Sequence, residues 1–137
     1  MVIPTGRAQD PGERKMSDAG DVPHPILIER TKRLLAERSV VARSWWDRMV
    51  GLLNRASLPP GEALVFPDCR SIHTVGMRFS IDVIFVDRHW RVAAVHAAVP
   101  PGRCVLSVWN AWAVIEMASG TLDRVELQLG DQLQVTQ

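Results

Sequence analysis

Ser71-Ile72-His73-Thr74-Val75-Gly76-Met77-Arg78-Phe79-Ser80-Ile81-Asp82-Val83-Ile84-Phe85-Val86-Asp87 is the stretch that decides the fold class. Its β-branched and aromatic residues read as two strands, 70–75 and 81–87, separated by a turn signal at Gly76. Two titratable side chains, His73 and Asp82, interrupt it, and a polar group inside a strand pair must find a partner to be buried without loss. A hairpin centred on Met77 and Arg78 would set position 73 opposite position 82, with Cβ atoms about 4.5–5.5 Å apart. That register is the central expectation here, and a one-residue slip would send the two side chains to opposite faces.

Working outward, the rest of the chain supports a mainly β domain. Residues 63–66, 91–99 and 113–118 have the same Val/Ile-rich character, and Asp87-Arg88-His89-Trp90 has the composition of a hairpin turn. Residues 26–30 and 33–42 read as further strands, and Leu133 and Val135 alternate in a last one after the Gly130-Asp131 turn. Residues 121–129 fit a helix through Leu122, Val125 and Leu129, or a strand through Val125, Leu127 and Leu129. One short amphipathic helix is expected over 45–55, where Ser44 caps and Trp46, Met49, Val50 and Leu53 recur at helical spacing. Seven or eight short strands with one helix point to a compact β-sandwich or distorted β-barrel.

The 137 residues suffice for one domain, expected over 25–137. Residues 1–24, rich in Pro, Gly, Ser and charge, are expected to be a disordered tail, within which Met16 is an alternative start. The net charge of +1 gives no global field for nucleic acid or an anionic membrane, and neither is expected as a partner. The basic stretch 29–55 reads first as a solvated surface. No apolar run approaches a membrane span, and the first residues lack a secretory pattern. The expected compartment is the cytoplasm, where Cys69 and Cys104 stay reduced. A monomer or weak dimer is expected.

Three chemistries compete with plain packing as readings of these residues. An imidazole oriented by a carboxylate can act as a general base or hold an anion, and His73 with Asp82 would provide that pair. The plain alternative is a polar pair that fixes strand register. A Cys69–His73 dyad would need a bend, because four strand residues span about 13 Å. Cys69, His73 and Asp82 are acceptable metal ligands, yet the histidines at 24, 73, 89 and 96 form no ligand motif, so no metal and no cofactor is expected. Glu116, alternating with Val114 and Ala118, either meets solvent or lines a cavity. No phosphate loop, dinucleotide fingerprint or hydrolase elbow occurs.

Arg48-Met49-Val50-Gly51-Leu52, the run from Ile72 to Asp87, Val114-Ile115-Glu116-Met117 with Gly120, and Gly130-Asp131 together resemble the prokaryotic family called domain of unknown function 192. The resemblance spans roughly residues 33–135. It implies a small, mainly β domain and no established activity. Ser80 stands where the family commonly has Pro, and Met117 where Leu is usual. The function expected is a non-enzymatic binding module with a small polar pocket of His73, Thr74, Asp82 and Glu116, rimmed by Met77, Arg78 and the 100–112 loop. Its ligand would be a small anion, a sugar or a peptide end. The alternatives are a hydrolase or lyase using His73 and Asp82, and a structural domain presenting Trp109 and Trp112 to a protein partner.

Overall fold

A strand whose residues are apolar on both faces has to lie inside, with another layer on each side. Ile81-Asp82-Val83-Ile84-Phe85-Val86 and Ala113-Val114-Ile115-Glu116-Met117-Ala118 are such strands, and the architecture is built around them. The computed structural model of the chain describes residues 2–4, 24–41, 57–106 and 109–136. Among these residues the strands are β1 (Val2–Pro4), β2 (Ile26–Ile28), β3 (Arg33–Ala36), β4 (Arg38–Val41), β5 (Glu62–Pro67), β6 (Cys69–His73), β7 (Ile81–Val86), β8 (Val92–Val99), β9 (Cys104–Leu106), β10 (Ala113–Ala118) and β11 (Leu133–Val135).

Five strands in the order β4-β5-β10-β7-β8 form the central sheet. A sheet β1-β6-β9 packs on one face of it and a sheet β11-β2-β3 on the other. The first core layer joins Cys69 and Ile72 to Leu64, Phe66, Val83, Phe85 and Val114. The second joins Ile26, Ile28, Leu35 and Leu133 to Val65, Ile84, Val86, Ile115 and Met117. The molecule is mainly β and sandwich-like, as its strand-rich sequence requires.

The expected 70–75/81–87 hairpin does not form. Strand β6 pairs with β1 and β9, whereas β7 pairs with β10 and β8. A turn is present, with the Met77 N–H on the Thr74 carbonyl and Gly76 at φ +86, but it carries the chain from the outer sheet to the central one. The burial pattern gives the reason. Every residue of β7 is buried, so it belongs in the middle layer; β6 carries an exposed Arg70 and belongs outside.

Three other expectations change. The 33–42 strand is broken at Glu37: β3 lies in the outer sheet and β4 in the central one, parallel to β5. The N–H groups of Glu37 and Arg38 both donate to the Gly61 carbonyl at this crossing. Residues 121–129 are neither helix nor strand; they hold a 3-10 turn at Leu122–Arg124 followed by irregular chain. Residues 2–4, inside the stretch expected to be a mobile tail, form β1 against β6. The helix expected over 45–55 lies outside the described residues. Among the described residues no helix is long and apolar enough to cross a membrane.

Candidate functional site

The six residues expected to form a pocket occupy three separate places. His73 ends β6 in the outer sheet, half-buried, with its Nδ1 enclosed and without a hydrogen-bond partner. Loss of water lowers its pKa, which favours the neutral imidazole. Thr74 follows it and is fully buried; its Oγ1 donates to the Pro100 carbonyl (2.6 Å) and accepts the Arg103 N–H (2.9 Å). Met77 belongs to the first core layer, and Arg78 is exposed.

Asp82 lies across the central sheet from all of these. It pairs with Met117 and shares the second core face, while His73 belongs to the layer covering the first. Its carboxylate is bonded at both oxygens, to the Ala98 N–H (2.8 Å) and the Leu122 N–H (2.9 Å). Ala98 sits at φ +52 where the β7–β8 register shifts, so Asp82 replaces ladder bonds that the bulge has lost and ties it to the 3-10 turn. Both the His73–Asp82 pair and the four-residue pocket therefore lose their geometric basis.

Glu116 is the third place. It is wholly buried in the middle of β10, flanked on the first core face by Leu64 and Val83, and neither oxygen has a partner. Burial pushes its carboxyl from 4.5 to about 7. The Cys69 thiol is pushed up to about 12, by burial first and then by the Asp68 and Glu116 carboxylates. A thiol held so far above neutrality is a core residue and a poor nucleophile.

A cleft lies elsewhere among the described residues, at the end of the central sheet where β10 begins. Ala113 pairs with Pro67 on one side and Val86 on the other, which draws three connections together: 68–70, 87–89 and 109–112. They enclose a cleft of about 460 Å³ floored by Ala111. Trp112 is its rigid wall. Its backbone N–H donates to Val86, its carbonyl accepts the Cys69 N–H, and its indole Nε1 donates to Asp68 Oδ1 at 3.0 Å. It also meets Trp90 edge-to-face at 6.0 Å. Trp109, by contrast, is 86% exposed.

The charges around this cleft are not equivalent. Asp87 Oδ1 accepts the His89 and Arg91 N–H groups and Asp68 holds Trp112, so both acids serve the walls. Arg70 and Arg88 are exposed and make no hydrogen bond or ion pair with other described residues. Two non-glycine residues with positive φ, Asp68 at +56 and Trp90 at +61, flank the same end, and such strain collects at ligand sites. Sequence reasoning picked out the two Trp residues and the turn at Asp87, but not that these meet residues 68–70. Among the described residues no group of three potential metal ligands occurs.

Two solved structures share the fold. A protein of unknown function from Novosphingobium aromaticivorans DSM 12444 superposes with a TM-score of 0.68 at 24% identity, over 82% of this chain and 84% of its own. A protein from Sinorhizobium meliloti 1021, described provisionally as a transcription regulator, gives 0.64 at 20% identity, over 82% of this chain and 92% of its own. No curated protein matches the chain. Residues 27–135 match the profile of the family described as Uncharacterized ACR, and with most of its length inside that match the chain belongs to DUF192.

Proposed function

We propose that this domain is a binding module whose site is the cleft at the head of β10, and that it takes a small anion. The observation that carries the reading is the free pair of guanidinium groups, Arg70 and Arg88, beside an exposed indole at a concave site. Guanidinium is a planar, permanently charged donor suited to carboxylate or phosphate, and an indole face adds contact area for an apolar part of the same ligand. The two acids nearby already accept internal donors, so they oppose an anion less than their number suggests. Strand ends hold all three connections, which keeps the site preorganised.

Titration of small carboxylates and phosphates, followed by tryptophan fluorescence and calorimetry, tests this. The Arg70→Ala, Arg88→Ala double variant should lose binding by about a hundredfold or more, since hydrogen bonds to charged groups are worth about 1.5–3 kcal/mol each. Its melting temperature should stay at the wild-type value. Equal binding by wild type and double variant would sink the proposal. A second reading, an interaction domain presenting Trp109 to a protein, draws on the exposure of that indole. It requires that no small anion perturb the fluorescence.

A further inference from the structure

Two of the connections at the cleft each bring an acid together with a guanidinium: Asp68 and Arg70 from one, Asp87 and Arg88 from the other. The four charges cancel, so the cleft offers little long-range attraction to a bare anion. A lining of mixed sign suits a ligand that carries both signs, because like charge set against either group costs affinity. The two acids are not equally available. Asp68 accepts the Trp112 indole N–H at 3.0 Å. Asp87 accepts the His89 and Arg91 N–H groups at 2.8 and 3.0 Å, both on Oδ1. Those two bonds fix the carboxylate in the turn, and its Oδ2 accepts no hydrogen bond from the described residues. Arg88, the next residue, is exposed and forms no ion pair with the described residues. An unused carboxylate oxygen and an unused guanidinium thus belong to consecutive residues of one cleft.

We propose that the cleft takes a free α-amino acid with an apolar side chain. Its carboxylate meets Arg70 and Arg88, its ammonium meets Asp87 Oδ2, and its side chain covers the Trp109 indole. This assignment rests on the cleft being the anion site proposed above, and makes that anion one end of a zwitterion. An α-amino acid carries both charges on one carbon, so its receptor must supply both signs from neighbouring positions, as the consecutive Asp87 and Arg88 do. Each such contact is a hydrogen bond between charged groups, the stronger class, and the guanidinium fork matches a carboxylate. Trp109 lines the cleft and is 86% exposed, which leaves its indole open to an apolar side chain. Few rotatable bonds must be ordered to make that contact. The cleft, at about 460 Å³, falls within the range of small-molecule sites, about 300–1,000 Å³. A phosphate ester or a dicarboxylate has nothing to offer Asp87 and sets its own charge against that carboxylate.

The test titrates the full chain with L-phenylalanine, with phenylpropionate, which lacks the ammonium, and with phenethylamine, which lacks the carboxylate. Calorimetry and tryptophan fluorescence read the affinities. Phenylalanine should bind at least about tenfold more tightly than either analogue, since each analogue gives up a hydrogen bond between charged groups. Asp87→Asn keeps the Oδ1 acceptor for His89 and Arg91 and neutralises the other end. It should weaken phenylalanine about tenfold and leave phenylpropionate at least as tightly bound as before. If Asp87→Asn fails to fold, the three ligands on the wild type decide alone. Phenylpropionate binding as tightly as phenylalanine, and lost in the Arg70→Ala, Arg88→Ala double variant, would overturn the zwitterion and leave the anion site standing. A folded Asp87→Asn with undiminished affinity for phenylalanine would do the same. A wild type that binds neither phenylalanine, phenylpropionate nor inorganic phosphate would overturn both.

Discussion

Asp82 and Glu116 occupy adjacent strands of the same sheet and point through opposite faces, the first bonded at both carboxylate oxygens and the second at neither. Two acids in one buried sheet thus have opposite energetic signs. Asp82 is a connector that accepts two backbone bonds; Glu116 is a carboxyl whose burial favours the protonated form.

Glu116 therefore predicts a stability that declines as pH rises. Its folded value, about 7, lies above the 4.5 of the unfolded chain, so between the two the native state holds the extra proton. Stability is fully present below about pH 4.5, falls through the interval, and is level above about 7. The displacement corresponds to about 3 kcal/mol. Denaturant melts of Glu116→Gln from pH 5 to 8 should lack this slope and exceed wild type at pH 8. A wild-type stability that rises between pH 5 and 7, with Glu116→Gln unchanged, would contradict the assignment.

Asp82→Ala removes a buried carboxylate that accepts two N–H groups, at Ala98 and Leu122. The expected loss is about 3–4 kcal/mol, because hydrogen bonds to a charged group are worth about 1.5–3 kcal/mol each. Asp82→Asn keeps one acceptor and should lose roughly half of that. Amide exchange should show where the loss falls: the Ala98 and Leu122 protons accelerate, and those of β5 hold.

Arg30 and Asp131 oppose Glu116 on the acid side. The guanidinium grips the carboxylate with two bonds, 2.9 and 3.1 Å, and Asp131 Oδ2 also accepts the Gln128 N–H. The Arg30 hydrogen bond holds the Asp131 carboxyl below its usual 3.8. That contribution is present above pH 3.8 and lost as pH falls through the depressed folded value. Acid titrations of Asp131→Asn should show a weaker loss of stability below pH 4 than the wild type does.

These buried acids also show what the sequence can and cannot convey. The strands at 63–66, 81–87, 91–99 and 113–118 were legible because alternation and β-branched content are local properties. Pairing is not local. Gly76 announced a turn, and a turn between two strands suggests a hairpin, yet the run Ile81–Val86, apolar on both faces apart from Asp82, demanded cover on both sides and so a different layer from β6. Glu116 was visible as an acid among apolar neighbours, but its burial depends on Leu64 and Val83, distant in sequence. The cleft was harder still. It is made from connections around 68, 88 and 110 that meet only because Ala113 pairs with both Pro67 and Val86.

Thr74 gives the last prediction, since one hydroxyl closes the loop. Thr74→Val keeps the shape but leaves the Arg103 N–H without the Oγ1 acceptor and the Pro100 carbonyl without its donor. The cost should be about 2–3 kcal/mol. Thr74→Ser keeps the oxygen and gives up one methyl, about 1 kcal/mol. Amide exchange should separate the two variants: the Arg103 proton accelerates in Thr74→Val and holds in Thr74→Ser. Equal exchange at Arg103 in both would mean that Oγ1 does not hold this N–H.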